Sequence, residues 1–137
     1  MNLISIRNKI QEILAESIEP DVLLYHVTPQ QNVDAIQRDG VKPVSYWGIG
    51  DLADYYIEAI QDEGHRPAVF AIKLSELDPS LIEPDHPGIA EPITTAIDKS
   101  EEDVWEEWEA CDGTWEDSLN IVGSVSYKGV VRPLLDE

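Results

Sequence analysis

His26, Thr28 and Tyr46 are the residues of this 137-residue chain whose types and spacing suggest chemistry. An imidazole and a hydroxyl two positions apart can hydrogen-bond a sugar, and a tyrosine offers an aromatic plane for a flat ring. A nucleotide pocket needs both. A lone histidine at a strand end is commonly a satisfied core group, but the presence of Thr28 and Tyr46 shifts the reading towards a site.

Residues 21–27 (DVLLYHV) are an apolar run of strand length bounded by Pro20 and Pro29, with His26 near its end. Pro29 suits the first turn of a helix, Val33 and Ile36 share a face, Gly40 offers a left-handed C-cap and Pro43 forbids continuation. A second strand at 44–47 runs into Gly48-Ile49-Gly50, and Asp51 can cap a helix carrying Leu52, Tyr55, Tyr56, Ala59 and Ile60. This order sets His26 and Tyr46 on neighbouring strands. Tyr25, Trp47 and Tyr55 are assigned to packing. Residues 67–74 read as a further strand and 74–95 as a long proline-bearing loop, with late strands at 118–122 and 124–127 and a turn at Lys128-Gly129. Ser100 can cap a short helix on which Val104, Trp105 and Trp108 recur at helical spacing. At the start, Leu3, Ile6, Ile10, Ile13 and Leu14 make residues 2–17 an amphipathic helix ended by Pro20 and packed on the sheet.

His26 with Thr28, then Asn32 and Ile36, Gly40-Val41, Tyr46 followed by an aromatic and a small residue, and finally Ala53 and Tyr56 form an order that resembles the ADP-ribosyltransferase superfamily. The match covers about a third of the chain and rests on single-residue landmarks. The resemblance implies an α+β fold with a split antiparallel sheet, flanking helices and NAD bound as substrate. On it, His26 and Thr28 hold the nicotinamide ribose, Tyr46 stacks on nicotinamide, Tyr56 lies on the helix behind, and Arg38 with Lys42 serves the pyrophosphate. The superfamily's third catalytic group is a glutamate at the start of a late strand, which offsets the positive charge that develops as the bond to nicotinamide breaks. The residues in that place are Asp117 and Glu116. Asp117 is preferred, although it is a methylene shorter.

The length and an apolar content of 42% fit one domain over 1–137 with a single core. No segment has the length of a transmembrane helix and the start lacks an apolar signal core, so the expected home is the cytoplasm. Cys111 is the sole cysteine, which excludes an internal disulfide and reads as a partly buried thiol. Asp85, His86 and Glu91 are dispersed rather than spaced as ligands, so no metal is expected. His65, beside Gly64, reads as a surface residue in a turn.

With 28 Asp and Glu against 9 Lys and Arg, the net charge is -19. Such a field repels a phosphate backbone and attracts basic surfaces, so the expected partner is a basic, nucleic-acid-binding protein and not nucleic acid itself. Three functions follow. The first is a mono-ADP-ribosyltransferase acting on a basic protein, as a toxin or phage-type anti-defence protein. The second is an inactive acidic binding protein that mimics nucleic acid through the charged stretch 98–117. The third, an RNA 2'-phosphotransferase, is disfavoured by the charge.

Overall fold

The structure is a computed structural model, and residues 22–136 are described. The helix expected over 2–17 lies outside them. Six strands, β1 (Leu23–Pro29), β2 (Ser45–Gly48), β3 (Pro67–Lys73), β4 (Ile82–Pro84), β5 (Ser124–Tyr127) and β6 (Leu134–Asp136), form one antiparallel sheet in the order β4-β5-β2-β1-β3-β6. With its helices this makes the fold α+β.

Strand alternation assigns the two faces. Residues opposite one another in an antiparallel ladder share a face. Leu24 pairs with Ile72, Thr28 with Ala68, and Trp47 with Val125. All of these are buried, and together with Tyr127, Ile82 and Leu119 most of them form the core. The opposite face carries Tyr25, Val27, Tyr46, Gly48, Ser124 and Ser126. It is covered only in part.

β1 pairs with β3 along its whole length but meets β2 only at Tyr25 and Gly48. The sheet is therefore parted between β1 and β2. Across the gap the His26 ring, not the backbone, makes the link: its Nδ1 lies 3.0 Å from the Tyr46 carbonyl oxygen.

The helices over 33–39, 50–62 and 101–109 stand where the sequence signals place them, although the N-cap of the second is Ile49 and Asp51 lies inside its first turn. A 3-10 turn at Gln30–Asn32 leads into α1 (Val33–Asp39), and the Gly40 amide closes it on the Ile36 carbonyl at 2.7 Å. Gly40 has φ 80° and ψ 175°, an extended glycine conformation and not the left-handed helical one. A Cβ there would lie 2.7 Å from Val130 and 2.8 Å from the Val131 carbonyl. α2 (Gly50–Asp62) follows β2 directly and sends Leu52 and Ala53 inward.

The region 74–95 is not a plain loop. It holds two 3-10 turns, strand β4 and α3 (His86–Ala90), which Asp85 caps, and α4 (Thr94–Ile97) overlaps its end. α5 (Glu101–Glu109) begins at Ser100, whose Oγ accepts from the Asp103 amide at 3.1 Å. It seats Val104 fully and Trp108 partly, while Trp105 stays 41% exposed, so the tryptophans do not form one inner face. His65 is exposed in its turn and Cys111 is partly buried.

Residues 118–122, expected as a strand, are instead the C-terminal part of α6 (Trp115–Ile121) and its C-cap Val122. A reciprocal cap between Thr114 and Asp117 nucleates it, with the Thr114 amide donating to Asp117 Oδ2 at 3.1 Å and the Asp117 amide to Thr114 Oγ1 at 3.3 Å. Trp115, Leu119 and Val122 then recur at helical spacing, and Gly123 at φ 80° ends the helix. The late strands are instead β5, as expected, and β6, which pairs Leu135 with Phe70 and carried no clear sequence signal.

Candidate functional site

The parting between β1 and β2 opens into a cleft of about 490 Å³, walled by the polar sheet face, α2 and α3. The volume is that of a small-molecule site. Tyr46 lines it from the outer face of β2, His26, opposite buried Phe70 in the ladder, lines it at the gap between the strands, and Tyr56 lines it from α2, so three of the residues singled out from the sequence meet there.

His26 is held in a defined state. A carbonyl can only accept, so Nδ1 must carry the proton in its bond to Tyr46. Burial holds the imidazole below its ordinary value of 6.5, against the opposing effect of that bond. The neutral ring therefore has an unprotonated Nε2, an acceptor suited to a ribose hydroxyl. Trp47 backs the ring at 5.3 Å between centroids and is itself fixed by donating to Ser45 Oγ at 2.8 Å.

Tyr46 is 44% exposed and Tyr56 46% exposed, both presenting ring surface to the cleft. Tyr55 meets Tyr56 edge-on at 5.5 Å. Tyr25 and Tyr55, assigned to packing from the sequence, also line the cleft.

The buried carboxylate in the cleft is Asp85, which the sequence does not single out as a site residue. It is 8% exposed, and both its oxygens are engaged. Oδ2 accepts from Ser124 Oγ at 2.6 Å and Oδ1 from the Gly88 amide at 2.9 Å. Ser118 completes the seat: its Oγ accepts from the Asp85 amide at 2.9 Å and donates to the Ser124 carbonyl at 2.7 Å. Burial, and after it the Asp85 carboxylate, push the Tyr56 phenol above its ordinary value. Glu91, exposed, stands at the rim. The signal for Asp85 was present in DHPG: aspartate, a proline in the first turn and a glycine three positions on mark an N-cap.

Four expected residues are elsewhere. Asp117 and Glu116 occupy the first turn of α6, where Asp117 serves the cap, and neither lines the cleft. The strand that was to carry them is a helix. Thr28 is buried and accepts from Asn32 Nδ2 at 2.8 Å, joining β1 to the start of α1. Arg38 is exposed, paired with Asp39 at 3.0 Å and away from the cleft.

No Lys or Arg is among the described residues that line the cleft. The described lining presents tyrosine rings, the His26 imidazole and carboxylates, and a diphosphate finds no Lys or Arg partner among them. No protein-family model, no curated protein and no solved structure matches this chain. Among the described residues no helix is long and apolar enough to cross a membrane.

Proposed function

We propose that the chain is an NAD-dependent mono-ADP-ribosyltransferase acting on a basic protein in the cytoplasm, in the service of a toxin or anti-defence role. The observation that carries this reading is the meeting of His26 and Tyr46 across the parted sheet in one cleft with Tyr56. NAD, when bound, supplies a glycosidic bond to a cationic leaving group. His26 Nε2 accepts from a ribose hydroxyl and orients the sugar. Tyr46 provides the plane for the nicotinamide ring. Asp85, fixed by Ser124 and Gly88, supplies the preorganised negative charge that the resemblance had given to Asp117 or Glu116. The net charge of -19 draws in a basic acceptor protein.

Calorimetric titration with NAD, together with label transfer from NAD to a basic DNA-binding protein, tests the reading. Both signals are expected in the wild type and lost in His26→Ala and Tyr46→Ala. Unchanged signals in both variants, or none in the wild type, refute it.

A second reading has its own support. α5 exposes Glu101, Glu102, Asp103, Glu106, Glu107 and Glu109 beside Trp105, a rigid acidic face with aromatic contact area. An inactive nucleic-acid mimic predicts salt-sensitive association with a basic partner. The association is indifferent to His26→Ala and is weakened by joint neutralisation of Glu101, Glu102, Glu106 and Glu107. Insensitivity to salt refutes it.

A further inference from the structure

Among the described residues the cleft combines aromatic surface with carboxylates and has no Lys or Arg in its lining, and this combination has a ligand preference of its own. Tyr25, Tyr46, Tyr55 and Tyr56 contribute rings, and Tyr46, Tyr55 and Tyr56 are each more than 40% exposed. Aromatic faces attract cations through the ring quadrupole, most strongly where water is excluded. Asp85 adds a buried carboxylate whose two hydrogen bonds come from neutral donors, Ser124 Oγ and the Gly88 amide. Neutral donors stabilise the carboxylate without cancelling its net charge. Glu91 adds a second carboxylate at the rim. Among the described residues, Arg38 pairs with Asp39, Lys99 with Glu107 and Lys128 with Glu83 at 2.8–3.0 Å, and Lys42, Arg66, Lys73 and Arg132 do not line the cleft.

We infer that the cleft is selective for a planar organic cation, with the tyrosine rings as its walls and Asp85 as its counter-charge. Shape alone would admit any flat ring of the right size. The carboxylate makes charge the discriminating property, because a neutral isostere forgoes both the cation–ring attraction and the ion pair. Two sources carry this chemistry, the pyridinium ring of oxidised NAD and the guanidinium of an arginine on a basic protein. The inference concerns the same cleft as the NAD reading and survives that reading's failure.

The experiment is an NMR titration of the full chain with 1-methylnicotinamide, with neutral nicotinamide and with acetyl-arginine methylamide. The cationic pyridinium or the guanidinium is expected to bind at least tenfold more tightly than nicotinamide, roughly the discrimination that one ring and one carboxylate supply. Asp85→Asn keeps an acceptor for the Gly88 amide and so keeps the cap. It is expected to remove most of the preference for the cation while keeping a cooperative thermal melt, at a lower Tm than the wild type. Tyr46→Ala, at a half-exposed position, is expected to weaken the favoured cation without altering the fold. Pyridinium binding assigns the site to the dinucleotide. Guanidinium binding without pyridinium binding keeps the cation site and overturns the NAD reading. Equal affinity for nicotinamide and 1-methylnicotinamide with no guanidinium binding, no binding of any probe, or a preference unchanged in Asp85→Asn overturns the inference.

Discussion

Gly88→Ala is the substitution whose outcome most directly tests how the cleft is built. Gly88 lies within α3 at an ordinary backbone conformation, so helix propensity alone favours alanine there by up to about 1 kcal/mol. The structure predicts the opposite sign. A Cβ on Gly88 would collide with Asp85 Oδ2 and lie 2.8 Å from its Cγ. The carboxylate cannot stay where it accepts from both Ser124 Oγ and the Gly88 amide. Hydrogen bonds to a charged group contribute about 1.5–3 kcal/mol each, and water entering from the cleft restores part of that. With both bonds disturbed and the propensity gain subtracted, a net loss of about 2–3 kcal/mol remains. For a domain of this size that lowers Tm by about 6–12 °C. Gly50→Ala is the control, since nothing lies within 4 Å of its added Cβ and it begins α2. Thermal melts followed by circular dichroism, with urea unfolding for the free energy, should leave Gly50→Ala at or above the wild type and Gly88→Ala well below it. A Gly88→Ala variant that melts with the wild type, or higher, refutes the tight seat for Asp85.

Three further outcomes follow from the same geometry. Because burial holds His26 below 6.5, the unfolded chain takes up the proton first as pH falls. Wild-type stability should therefore drop relative to His26→Gln once pH falls below about 6.5, until the folded value is passed. A difference between the two urea-unfolding free energies that does not vary with pH argues against a buried neutral ring. Asp117→Ala removes the Asp117 side-chain half of the α6 cap, leaving its amide on Thr114 Oγ1, and should cost about 0.3–1 kcal/mol while leaving ligand binding in the cleft intact. Loss of binding with no loss of stability would return Asp117 to the site. Finally, a net charge of -19 repels itself, so raising NaCl from about 0.02 to 0.5 M should raise Tm. A flat or falling Tm contradicts that balance.

The front of the cleft was legible because its signals are local. DVLLYHV, the glycines at 40, 48 and 50, and the apolar spacing of 52–60 each point to one element, and those elements bring His26 and Tyr46 together. Residues 118–122 were not legible as helix because Leu119-Asn120-Ile121 alternates like a strand. The Thr114–Asp117 cap that decides between the two lies upstream of the apolar run. Asp85 was hidden for a different reason. Its buried seat depends on Ser118 and Ser124, more than thirty residues away, and no periodicity encodes that meeting. β6 is three residues long and gains its identity only from the free edge of β3.

The single ladder position between β1 and β2 has a consequence for how the molecule yields. Along β1 alternate amides point away from β3, and beyond Tyr25 they find no strand opposite. These amides should exchange with deuterium sooner than their neighbours bonded to β3, tracing the gap residue by residue. The sheet is in effect two three-stranded plates, β4-β5-β2 and β1-β3-β6, pinned at one point and latched by one imidazole. Protonating that latch would not open the Nδ1 bond, but it would turn Nε2 from acceptor into donor, reversing what the seam offers a guest while its width stays the same.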